Sequence, residues 1–121
     1  NGVAFQNLAE PLQITIDFRS DPSLPCPTLG VVIFGADGRP ITSAGNWLDN
    51  VPLQRNAAGE VQVVLEFPKL PLLKGRYSVS VYVLCERSIN LYASAEHAAT
   101  LEVVQDHVEQ GVVSLPHHWH G

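Results

Sequence analysis

Residues 70 to 83 read LPLLKGRYSVSVYV, and the second half of that stretch alternates with a strict period of two. Tyr77, Val79, Val81 and Val83 fall on one side of an extended chain; Ser78, Ser80 and Tyr82 fall on the other. A helix cannot gather such a set on one face, because its faces repeat every 3.6 residues. The pattern recurs in PLQITIDF, with Leu12, Ile14, Ile16 and Phe18 against Gln13, Thr15 and Asp17. It recurs again in EVQVVLEF, with Val61, Val63, Leu65 and Phe67 inward. Each is a half-buried strand with one apolar face to cover.

Between these runs the chain is punctuated by nine glycines and nine prolines, and no segment carries a convincing helical period. SDPSLPCP excludes regular structure, because proline removes donors and biases the residue before it away from helix. TLGVVIFG is apolar on both faces, and Asp37-Gly38 after it supplies the positive φ angles of a tight hairpin, with ITSA as the return strand. GNWLDNVPLQRNAAG and CERSINLYASAE read as long polar loops, and HAATLEVV and GVVSL as closing strands. The expected architecture is all-β: an antiparallel β-sandwich, immunoglobulin-like or jelly-roll-like, of about seven to eight strands. Residues 1 to 121 form a single domain, long enough to bury a core without staples.

Apolar residues make up 45% of the chain, too many for disorder. A net charge of −5 argues against nucleic acid or an anionic membrane surface as partner, since both require clustered Lys and Arg. No apolar run is long enough to insert in a bilayer. Cys26 and Cys85 are too few for a disulfide scaffold or a paired-cysteine metal site and are expected as free thiols. The chain opens on NGVAFQNLAE without a methionine, which points to a piece of a longer protein.

Catalytic and metal chemistry find little to work with. The terminal PHHWHG offers imidazoles, yet zinc needs three or four convergent ligands and a frayed terminus does not preorganise them. The acids are spread singly; Asp49, Glu86 and Glu96 fall in loops and read as solvated surface groups. There is no GxSxG, and GADGRP is a hairpin rather than a phosphate-cradling turn. No enzyme, cofactor or metal site is expected.

Aromatic residues at outward positions are harder to dismiss. Trp47 lies in a polar loop where no core pattern demands it, and Tyr82 lies on the outward face of the longest strand. Two readings stand. In one, Trp47 is a lid over the sandwich end and Tyr82 an ordinary cross-strand β-former. In the other, Ser80 and its neighbour Ser78 leave room for a shallow groove in which Tyr82 and Trp47 supply flat apolar surface. Sugars present C–H faces ringed by hydroxyls, so such a groove also needs polar groups, and Asn46, Glu86, Arg87 and Asn90 are the candidates.

GVVIFGADGRPI with a following Gly-Asn, then LPLLKGRYSVSVYV, then LYASAEHAATLEVVQDHVEQGVVSLPHHW resemble one family throughout. It is the C-terminal domain of the ATP-binding subunit of bacterial polysaccharide ABC exporters of the O-antigen type. The similarity runs from about residue 10 to Trp119, without any catalytic signature. The resemblance implies a non-catalytic sandwich that recognises the often capped non-reducing end of an O-antigen polysaccharide and couples it to export. It implies an N-terminal ATPase domain and a transmembrane permease as partners, and a cytoplasmic position peripheral to the inner membrane. Reduced cysteines would follow from that compartment. Trp47 after Asn46 and Ala93 after Tyr92 depart from the family pattern, where a small hydroxyl residue and an acid are expected. The rival reading is a structural or protein-interaction sandwich that packs GVVIFG on a partner and binds no sugar. A homodimer is also expected: GVVSL, tethered by the spacer QDHVEQ, folds back or is lent to a second copy, with Trp119 near the boundary and two sugar sites per dimer.

Overall fold

The computed structural model describes residues 3–7, 11–104 and 110–120. Among these residues seven strands follow one another: β1 Val3–Asn7, β2 Leu12–Arg19, β3 Thr28–Phe34, β4 Pro40–Gly45, β5 Glu60–Phe67, β6 Gly75–Leu84 and β7 Leu91–Val104. They form a five-stranded sheet in the order β1-β7-β6-β3-β4 and a two-stranded sheet of β2 and β5. The expected sandwich is borne out, and its pairings are antiparallel except that β1 lies parallel to β7.

The alternating runs place their apolar faces as their period dictates. Leu12 sits opposite Phe67, Ile14 opposite Leu65, Ile16 opposite Val63 and Phe18 opposite Val61. Leu29, Val31 and Ile33 of β3 meet Val83, Val81 and Val79 of β6, so both strands turn these residues to the same side. The core between the sheets includes Ile16, Val31, Ile33, Tyr77, Val79, Leu101 and Val103. Burying a side chain of this size contributes about 1.5–3 kcal/mol. The tetrad before β6 explains itself here, because Leu70, Leu72 and Leu73 are buried. They close the end of the sandwich at which β6 begins. Burial raises the pKa of the Tyr77 phenol, and its hydroxyl donates to Leu73 O at 2.8 Å.

Two details depart from the sequence reading. LYASAE is not loop: β7 starts at Leu91, because the turn after β6 closes quickly, with Cys85 N donating to Asn90 O at 2.8 Å. GVVSL is not a full strand. It makes a single bridge, Val113 to Leu72, with hydrogen bonds from Leu73 N to Val112 O and from Ser114 N to Pro71 O. Pro71 has no N–H to extend that ladder. The edge beside β7 that a last strand could have taken is covered by β1. Residues 105–109 of the spacer expected to tether GVVSL lie outside the described residues.

Candidate functional site

Three connections gather at the end of the sandwich where β2, β4 and β6 finish: residues 20–27, 46–59 and 85–90. Each is fixed by specific polar contacts. Arg55 holds the proline-rich connection, donating from Nη1 to Ser20 Oγ at 3.0 Å and Asp21 O at 3.1 Å, and from Nη2 to Leu24 O at 2.8 Å. Asp21 caps Ser23, accepting from its backbone N–H and its hydroxyl, and these bonds lower the Asp21 pKa. Asn46 is a strut: Leu29 N donates to Oδ1 at 2.7 Å, and Nδ2 donates to Val51 O at 2.9 Å. Thr28 Oγ1 donates to Cys85 O at 2.7 Å and lies 2.7 Å from Ser88 Oγ, tying β3 to the β6–β7 turn. Backbone N–H groups of Asn90, Ile89 and Arg87 lower the pKa of the Cys85 thiol. Cys26 and Cys85 are both free thiols.

Two adjoining clefts lie among these connections. One, of about 340 Å³, is lined by Trp47, Asn50, Cys26 and Thr28. The other, of about 430 Å³, is lined by Tyr92, Phe18, Leu24 and Asp21. Pro27 and Glu86 line both. Trp47 is 49% exposed and Tyr92 60%, so an open aromatic ring stands in each cleft with the Glu86 carboxylate between. Flat apolar surface flanking an exposed hydrogen-bond acceptor is a surface that can take a ring with one apolar face and polar edges.

Of the residues singled out from sequence, Trp47, Asn46 and Glu86 come together in the first cleft. Both ends of the Asn46 amide are committed to backbone, so its part is to hold the Trp47 loop. Arg87 and Asn90 lie in the neighbouring β6–β7 turn but line neither cleft. Tyr82 and Ser80 are elsewhere, on the outer face of the large sheet. Tyr82 is half-buried and sits in a row with Ser94, Gly30 and Gly45. Ser80 is 0% exposed, sealed by a bulge in β7. There Val79 pairs with Ala99 but Val81 with Ala95, which leaves residues 96–98 opposite Ser80. His97, at φ +49°, donates its N–H to Ser80 Oγ at 2.8 Å, and its Nδ1 lies 2.6 Å from Ser78 Oγ. Its ring leans on Phe34, centroids 5.3 Å apart. The room that two serines promise on this face is therefore occupied by a histidine of the same chain. Tyr92 is the residue that sequence reasoning passed over, since its strand was read as loop.

Residues 2–115 match the family model of the Wzt C-terminal domain. The chain belongs to that family. The Wzt C-terminal domain is a non-catalytic module. Among solved structures, the crystal structure of the C-terminal domain of Wzt is similar with a TM-score of 0.71 at 15% identity. That match covers 95% of this chain and 72% of that one, and it is a likeness of fold. Drosophila OTK extracellular domains 3–5 match at 14% identity and TM-score 0.38, over 88% of this chain and 33% of that one. A strand-swapped dimer of the mouse leukocyte-associated immunoglobulin-like receptor 1 extracellular domain matches at 12% and 0.34, over 86% and 88%. Scores of that size carry no argument. No curated protein matches the chain.

Proposed function

We propose that this domain is a polysaccharide-binding module of an O-antigen ABC exporter, and that it holds the non-reducing, capped end of the chain at the loop end of the sandwich. The single observation that carries the reading is the pair of exposed rings, Trp47 and Tyr92, flanking Glu86 in a Wzt C-terminal domain. Each ring covers the C–H face of a sugar, and the carboxylate accepts from hydroxyls at its edge. The clefts are shallow and wet, so affinity for one chain end is weak, on the order of micromolar to millimolar. The domain works beside an ATPase domain and a membrane permease, on the cytoplasmic side and peripheral to the inner membrane. Two copies associate, which raises avidity for a polymer without new contacts. Trp119, 92% exposed in the single chain, is the side chain such a contact would cover.

What weighs against the rival, a sandwich that only packs on a protein partner, is the state of GVVIFG. Ile33 is in the core, and Phe34 is already faced by the chain's own His97. The test is calorimetric titration with matched oligosaccharides from the source polysaccharide, with and without the terminal cap. Trp47→Ala and Tyr92→Ala are each expected to weaken binding about tenfold, the loss of one stacked ring. Binding of capped and uncapped ends alike would remove the end-recognition claim; no binding at millimolar glycan would remove the function. Light scattering on the whole chain beside a version ending at Gln110 tests association, and a monomer at high micromolar concentration would refute it.

A further inference from the structure

Among the described residues, one charge on the walls of the aromatic clefts lacks a counter-charge. Glu86 is the one charged residue lining the Trp47 cleft; Cys26, Thr28, Asn46 and Asn50 supply polar atoms without charge. The Tyr92 cleft adds Arg19 and Asp21. Arg19 is taken by Glu60 at 2.9 Å. Asp21 accepts from the Ser23 N–H and hydroxyl, and Arg55, which donates to its carbonyl, adds a positive charge beside it. The Glu86 carboxylate is exposed and has no hydrogen bond or ion pair among the described residues.

Cations do not gather here to compensate. Arg87 follows Glu86 in the chain but lines neither cleft. Arg39, Lys69, Lys74 and Arg76, four of the seven Lys and Arg, belong to the opposite end of the sandwich, where β3 ends and β6 begins. Asp49, in the connection that carries Trp47, adds a second negative charge without an ion pair among the described residues. A concave surface of one sign focuses its field on whatever enters. The faces of the two exposed rings act in the same sense, since an aromatic face is the negative part of its quadrupole and attracts a cation. The carboxylate accepts from a hydroxyl, yet its bond with an ammonium N–H is charge-assisted and about twice as strong.

We infer that these clefts select the charge of the sugar they hold: they take an end residue with a free ammonium group in preference to a neutral one, and reject an end that carries phosphate or carboxylate. This rests on the sugar-binding reading and narrows its ligand class to an amino sugar whose nitrogen is not acylated. The ammonium donates to the Glu86 carboxylate and lies against the face of a ring. Exposed ion pairs and exposed cation–π contacts are each modest, so the preference over the neutral sugar is about fivefold.

The experiment is a ¹H–¹⁵N titration of the whole chain with three methyl glycosides of matched ring: the glucosaminide, its N-acetyl derivative and the glucuronide. Mildly acidic buffer keeps the amine protonated and the carboxylates ionised. Saturable shifts at the Trp47 indole N–H and at the amides of Glu86 and Tyr92 are the expected result. The glucosaminide should bind about fivefold more tightly than its N-acetyl form, with the glucuronide weakest. Glu86→Gln should bring the first two to within about twofold of each other, and added salt should narrow the gap in part. Glu66→Gln removes the same charge from a side chain bonded to Gln13 on the small sheet, and should leave the order unchanged. Equal affinity for the glucosaminide and its N-acetyl form, tighter binding of the glucuronide, or loss of the preference in Glu66→Gln would overturn the inference and leave the sugar reading standing. Shifts with none of the three would overturn both together. If Glu86→Gln fails to fold, the wild-type order and its salt dependence decide.

Discussion

Gly59 closes the long β4–β5 connection, and replacing it with alanine tests how the loop end is built. Its φ is +83°, a left-handed conformation that opposes any Cβ by about 1–2 kcal/mol. An added Cβ would lie 1.9 Å from Ser20 O, 3.1 Å from Ser20 C and 3.2 Å from Pro22 Cδ. Ser20 O belongs to the backbone, so the two segments must part by more than an ångström. That movement breaks the hydrogen bond from Ser20 N to Gly59 O, 2.8 Å long, whose loss costs about 1 kcal/mol. Together with the disturbed seat of Pro22, Gly59→Ala should destabilise by about 3 kcal/mol. Gly38 is the internal control: its φ is +84°, but nothing lies within 4 Å of the added Cβ. Only the conformational part applies there, about 1 kcal/mol. In urea, with a slope near 1.5 kcal/mol/M, the midpoint should fall by about 2 M for Gly59→Ala and by less than about 1 M for Gly38→Ala. Equal losses at the two sites would refute the claim that the approach of Ser20 adds to the cost of the φ angle at this position.

Thr28→Val keeps the shape of a buried side chain but removes the hydroxyl that bonds Cys85 O and Ser88 Oγ; Cys85 O keeps the Ser88 N–H as a donor, so the cost in the same urea assay should be about 1 kcal/mol. Ser80→Ala removes the acceptor of the His97 N–H; the His97 amide should exchange with deuterium at least tenfold faster, while Val81 on the same strand stays protected. The Glu60 carboxyl is held below its ordinary 4.5 by hydrogen bonds from Asn56 and Arg19 and by the Arg19 charge. A lowered carboxylate stabilises the fold above its unfolded pKa and loses that contribution as pH falls through the folded one. Glu60→Gln should therefore flatten the drop in midpoint that the wild type shows below about pH 4.5, and an unchanged acid limb would contradict it.

Local chemistry in the sequence determined the strands whose residues alternate, the inward set of each, and the hairpin at Asp37-Gly38. The reason is that side-chain direction in an extended chain depends only on parity. It determined the family too, because LPLLKG and the residues after it carry the resemblance. Tertiary structure decided the rest. Whether GVVSL becomes a strand depends on which edges are free, and β1 had taken the one beside β7. Whether Ser78 and Ser80 floor a groove depends on a bulge in another strand, nineteen and seventeen residues away from them at His97. Trp47, Glu86 and Tyr92 sit on three different segments, and no spacing rule links them. Parity is a property of neighbours along the chain; a site is a property of neighbours across it, and those are chosen by how the sheets close.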